Sequence, residues 1–116
     1  MAMRRRLYLI CYDIAEDRRR LARVAHYLEK HALRVQYSVF VGSFFDHALQ
    51  GVLHGLEQII DPRKDDVRCY PLPEQAEVVL LGQQLFPEDI LLIHDGRNLL
   101  RMGSKAPISQ ADLFIN

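Results

Sequence analysis

The apolar positions change their spacing several times along the chain, and each change marks an element. Leu7 to Ile14 is an almost unbroken apolar run of β-favouring residues, which predicts a strand. Leu7, Leu9, Cys11 and Asp13 fall on one face of it, and Tyr8, Ile10, Tyr12 and Ile14 on the other. Both faces are apolar, so both need a cover. Asp17 suits a helix N-cap. Leu21, Val24, Ala25, Leu28 and Ala32 then recur at helical spacing and form one amphipathic stripe. From Leu33 to Phe45 the spacing returns to two: Val35, Tyr37, Val39 and Val41 alternate with Arg34, Gln36, Ser38 and Phe40, and Gly42 offers a break. A second helix is predicted over Phe45 to Ile60, with Leu49, Val52, Leu53, Leu56, Ile59 and Ile60 inward and Gly51 and Gly55 weakening its middle. Asp61-Pro62 stops it, because the residue before a proline avoids the α region. Strands are predicted at Asp66 to Leu72, Glu77 to Leu81 and Ile90 to Ile93, the last ending in the turn signal His94-Asp95-Gly96.

Strands alternating with helices give an α/β or α+β sandwich. Two helices cover only one face of a sheet, yet the first strand is apolar on both. A second copy of the chain around a two-fold axis is the simplest cover for the other face. Such a dimer would bring two copies of anything on that face close together.

The 116 residues suit one domain. At 49% hydrophobic and 26% charged, the composition is that of an ordinary soluble protein. No apolar stretch approaches the roughly 20 residues of a membrane span. Leu7 to Tyr12 is shorter than a signal-peptide core of about 7–15 residues, so a cytoplasmic location is expected. Cys11 and Cys69 lie in strand-like runs outside any CxxC or Cys/His cluster, which favours two free thiols. The formal net charge is zero, but Met1 to Arg34 holds nine basic and four acidic residues, and the remainder six and eleven. A basic surface on the first third is compatible with that total.

Three stretches in consistent order and spacing carry a resemblance: "YLICYDI" with an arginine-rich helix after it, then "LRVQYSVFVG", then "IDPRKDDVRCYPL". Together they resemble the CRISPR-associated protein 2 family, the small partner in the spacer-acquisition module, over about Leu7 to Leu72. The resemblance implies an α+β, ferredoxin-like βαββαβ sandwich with one or two extra C-terminal strands. It splits Leu33 to Phe45 into two strands with a tight turn near Gln36 to Ser38, where no Gly, Asn or Pro announces one. It also implies a homodimer through the sheet faces, with a C-terminal strand crossing to the partner. Residues 1–82 would form the nuclease-type core, and 83–116 a C-terminal extension of the same domain. Three departures stand out. His31-Ala32 replaces a glycine common at the end of the first helix, Arg23 falls where a basic residue nearer Ala22 is expected, and the tail is long.

Taken alone, Asp13 reads more readily as a turn-capping residue than as a ligand. The resemblance matches it to the family's metal-binding aspartate and implies a Mg²⁺ or Mn²⁺ site. Two such carboxylates, one per subunit, would suffice for an ion that keeps most of its waters. Tyr12 joins Asp13 as a catalytic candidate. Arg18, Arg20, Arg23 and Arg34 are the nucleic-acid-binding candidates; a solvated helix face is the competing reading for the first three. Arg20 and Arg23 with Tyr27 would make an arginine–aromatic edge suited to phosphate. Ser38 and Phe40 are cleft-shaping candidates, with dimer burial an equal alternative for Phe40. His26, His31, His47, His54 and His94 form no ligand-like cluster.

Two functions follow from the resemblance. One is a Mg²⁺-dependent endonuclease acting on RNA or DNA during spacer acquisition. The other is a non-catalytic dimeric adaptor that bridges dimers of the CRISPR-associated integrase and binds the spacer duplex. A ligand-sensing ferredoxin-like regulatory domain is a third reading, and it leaves "RVQYSVF" unexplained.

Overall fold

The structure is a computed structural model and describes residues 4–82 and 90–103. Residues 83–89 and 104–116, most of the expected C-terminal extension, lie outside the described residues. The chain divides into two compact units after Leu72.

The first unit runs β1 (Arg6–Asp13), α1 (Arg18–Glu29), β2 (Leu33–Gln36), β3 (Val39–Phe44), α2 (Asp46–Glu57) and β4 (Asp66–Pro71). The strands form one antiparallel sheet in the order β2-β3-β1-β4, the ferredoxin-like βαββαβ arrangement. Both helices pack on the same face. Tyr8, Ile10 and Tyr12 of β1 point to that face and share a core with Val24, Ala25, Leu28, Phe40, Phe44, Leu49, Val52 and Leu56. Burying each large apolar side chain contributes about 1.5–3 kcal/mol.

Asp17 caps α1, its side chain accepting from the Arg20 amide at 2.9 Å. Leu21, placed on the predicted inner stripe, is 43% exposed, because the first turn of α1 is anchored by the polar contacts of Arg20 instead. The helix ends without glycine: the His31 and Ala32 amides both bond the Leu28 carbonyl, and neither residue takes a positive φ. Gly42 is not a break but lies inside β3 opposite Tyr8. A Cβ there would meet the Phe44 ring at 2.5 and 2.6 Å, so the glycine makes room for an aromatic. The turn between β2 and β3 falls at Tyr37-Ser38.

On the other face of the sheet Leu7, Val35 and Val41 are buried, Leu9 and Cys11 are half-buried, and Asp13 is exposed. The thiols are free and lie on opposite faces, since Cys69 pairs with Ile10, one residue before Cys11. Burial pushes the Cys69 thiol up from its ordinary pKa.

The second unit holds β5 (Gln75–Val79), β6 (Ile90–Asp95) and β7 (Asn98–Gly103) in a sheet of order β5-β7-β6. The strand β7 was not anticipated from the sequence. It returns from β6 through a tight turn in which Gly96 has φ +59°, as the first central position of a two-residue hairpin loop needs. β5 pairs parallel to β7 of the same chain. Among the described residues no helix is long and apolar enough to cross a membrane.

Candidate functional site

Asp13 is the last residue of β1, and its exposed side chain lies on the face away from the helices. Asp66, the first residue of β4, is its direct cross-strand partner. Paired residues share a face, so the two carboxylates stand side by side at one end of the sheet. Asp66 also accepts from Arg68 Nε at 2.8 Å, on the same face two residues on.

Successive strand residues point to opposite faces, so Tyr12 and Asp13 part company. Tyr12 is buried in the helix-side core, its ring stacked on Phe40 with centroids 6.2 Å apart. Its hydroxyl donates to the Tyr37 carbonyl at 2.9 Å, and burial pushes the phenol pKa above its ordinary value. Phe40 is fully buried opposite Ile10 in the same core, on the far side of the sheet from Asp13. Neither ring is brought to the Asp13 carboxylate.

The arginines divide in the same way. Arg18 and Arg23 are exposed on α1. Arg34 is turned onto the β2–β3 turn: Nε and Nη2 donate to the Tyr37 carbonyl at 3.1 and 2.7 Å, and Nη1 reaches Glu29 at 3.4 Å. Its guanidinium lies over the Tyr37 and Phe40 rings, 5.6 and 5.7 Å from their centroids. Ser38 contributes its carbonyl, which accepts from the Tyr12 amide at 3.1 Å. Tyr37 itself is 75% exposed at the same end of the sheet as Asp13. Tyr27 does not continue an arginine edge. It turns inward, and its hydroxyl donates to the Val52 carbonyl of α2 at 3.0 Å.

Arg20 is held within the chain. Nε donates to Asp65 Oδ2, Nη1 to Asp17 Oδ2 at 2.9 Å, and Nη2 to both Asp65 Oδ1 and the Ala15 carbonyl at 3.0 Å. Asp65 is the residue that sequence reasoning missed. Its side chain is fully buried and also accepts from the amides of Ala15 and Asp61. The Arg20 guanidinium, backed by the Asp61 and Ala15 amides, holds its carboxyl well below the usual carboxylate range despite the opposing effect of burial. The available signal was an acidic "DD" just after the second helix, set against an arginine-rich helix start; its weakness was the 45 positions between the partners.

Among the described residues no three His, Cys, Asp or Glu side chains converge as metal ligands. What one chain offers a cation is hard carboxylate oxygen from Asp13, with Asp66 beside it. That donor set suits a hydrated Mg²⁺ or Mn²⁺ better than zinc.

Comparison with known proteins agrees with this architecture. Residues 6–78 match the family model described as CRISPR associated protein Cas2. The CRISPR-associated endoribonuclease Cas2 1 of Nitrosomonas europaea is 41% identical over 83 residues, covering 72% of this chain and 78% of that protein. The CRISPR-associated endonuclease Cas2 2 of Thermus thermophilus is 35% identical over 80 residues, covering 69% of this chain and 88% of its own. Among solved structures, Streptococcus pyogenes Cas2 superposes with a TM-score of 0.54 at 37% identity, over 58% of this chain and 86% of that one. A hypothetical protein of Thermus thermophilus gives 0.62 at 33% identity, over 72% and 99%. With its ferredoxin-like sheet and the aspartate that closes its first strand, the chain belongs to the CRISPR-associated Cas2 family.

Proposed function

We propose that this chain is a metal-dependent endonuclease of CRISPR adaptation, a cytoplasmic homodimer in which Asp13 of each subunit lies near the two-fold axis. The observation that carries the reading is the exposed carboxylate of Asp13 at the open end of the sheet, on the face that the helices leave uncovered. The relatives named as endoribonucleases and endonucleases support a phosphodiester of RNA or DNA as the substrate.

Asp13 would hold Mg²⁺ or Mn²⁺, with Asp66 as the adjacent oxygen donor; such an ion, when bound, offsets charge on the scissile phosphate and acidifies a bound water. The protein's own part is to fix that carboxylate at the end of β1. Arg18 and Arg23, exposed on α1, would meet backbone phosphate. Tyr12, Phe40 and Arg34 would brace the β2–β3 turn beside the site through the Tyr37 carbonyl and the Tyr12–Phe40 stack.

One observation favours a second reading. Tyr12, the other catalytic candidate, is buried and hydrogen-bonded on the opposite face from Asp13, so it supplies no acid–base group beside the carboxylate pair. A dimeric adaptor that binds duplex DNA and bridges the CRISPR integrase needs none. Cleavage of labelled RNA and duplex DNA in Mg²⁺ by wild type, Asp13→Ala and Asp13→Asn separates the two. The nuclease reading expects loss of cutting in both variants. Equal cutting by all three rejects Asp13 as the catalytic group, and DNA and integrase binding without any cutting establishes the adaptor.

A further inference from the structure

The loop leaving Asp13 is fastened from both sides. Asp65 Oδ1 accepts from the Ala15 amide at 2.9 Å, and Arg20 Nη2 donates to the Ala15 carbonyl at 3.0 Å. Both backbone groups of the residue two beyond Asp13 are therefore held by one ion pair. Glu16, next in line, sits at φ +40°, the only non-glycine positive φ among the described residues. Such a conformation persists only where its surroundings enforce it. The same carboxylate accepts from the Asp61 amide at 2.8 Å and so ties down the turn before β4. Its neighbour in sequence is Asp66, the strand partner of Asp13. One buried carboxylate thus sets the exit of β1, the start of α1 and the entry of β4.

A guanidinium used in this way is not available to a phosphate. Arg20 makes four hydrogen bonds inside the chain, and withdrawing it would strand a fully buried carboxylate. We infer that Arg20 and Asp65 are positioning residues for Asp13, holding the loop and strand ends that carry the carboxylate pair rather than touching nucleic acid. This rests on the reading of Asp13 as the cation-binding carboxylate.

Three measurements on the intact dimer test it, using Arg20→Gln, Arg20→Lys, Asp65→Asn and the Arg20→Gln/Asp65→Asn double variant. Circular dichroism selects the variants that fold, and Arg20→Lys keeps the charge should Arg20→Gln not fold. The first is Mn²⁺ affinity by electron paramagnetic resonance without nucleic acid, with Asp13→Ala as reference. Residues that orient a ligand cost about 10–100-fold in metal affinity when replaced, and Arg20→Lys and Asp65→Asn are each expected to weaken binding by about that much; wild-type affinity in both overturns the proposal.

The second is RNA affinity against salt in EDTA. A lost phosphate contact lowers the slope of log K against log salt by about 0.7–0.9. The slope for Arg20→Gln, or Arg20→Lys in its place, is expected to match wild type; a drop of that size identifies Arg20 as a phosphate ligand. The third is turnover. The singles are expected to lower kcat about 10–100-fold with KM unchanged, and the double to be no worse than either single; additive losses overturn the shared role. If wild type cuts nothing, the nuclease reading fails, while Mn²⁺ affinity and the salt slope still decide what Arg20 and Asp65 do.

Discussion

Asp13 and Asp66 stand directly opposite one another across the β1–β4 ladder. Like charges at such positions are destabilising, and the ion pair of Asp66 with Arg68 relieves this only from one side. The pair therefore costs folding stability rather than adding to it.

Asp13→Asn is therefore expected to stabilise the metal-free protein by about 0.2–1 kcal/mol, with the gain shrinking in 1 M salt as the repulsion is screened. Urea unfolding in EDTA measures it. A loss of stability would mean that Asp13 has a structural partner to which its charge matters.

The Arg20 guanidinium holds the Asp65 carboxyl of the folded protein well below its ordinary value of 3.8. The unfolded chain takes up this proton first, so the contribution of Asp65 is fully present above about pH 5 and declines as the pH falls through 3.8 toward the folded value. Thermal midpoints between pH 7 and pH 3 should fall more steeply for wild type than for Asp65→Asn. At neutral pH, breaking this buried pair with Asp65→Asn should cost about 3 kcal/mol. Parallel curves would show that the carboxyl does not govern acid stability.

The two glycines of α2 should respond in opposite directions. Nothing lies within 4 Å of a Cβ at Gly51, so Gly51→Ala is expected to stabilise by roughly 0.5–1 kcal/mol through helix propensity. A Cβ at Gly55 would collide with the Tyr27 phenol that bonds the Val52 carbonyl. Gly55→Ala should therefore destabilise by about 1–3 kcal/mol. Urea midpoints of the two variants lying on the same side of wild type would contradict this packing.

Phe40→Ala removes a fully buried ring from the core and should cost about 3–5 kcal/mol. The loss should appear in the unfolding midpoint, with KM for nucleic acid unchanged in the folded fraction. A raised KM at full stability would place Phe40 in the substrate cleft instead.

The elements whose causes are local were legible in the sequence. Asp17 caps α1 through a bond three residues away, and the stripes of α1 and α2 need only helical spacing. The turn at Tyr37-Ser38 was not visible in composition, because distant groups hold it: the amide and phenol of Tyr12 and the guanidinium of Arg34. Alternation put Phe40 and Arg34 on one face correctly, since they pair across β2 and β3. It could not say which face the helices cover, and that choice separates Phe40 and Tyr12 from Asp13. The place of Asp13 at a strand end was readable. The engagement of Arg20 by Asp65 was not, because an arginine in a helical charge run looks the same whether it meets solvent, phosphate or a carboxylate far along the chain.

That distance also orders events as the chain is made. A growing polypeptide can pair β1 with β3 once the β2–β3 hairpin has emerged. The loop beyond Asp13 cannot close until Asp65 arrives, after both helices and the inner hairpin have been synthesised. A chain cut short at the end of α2 would carry Asp13 without the lock beside it. The end of the sheet that carries Asp13 is thus finished last, when only β4 remains to be added to this unit.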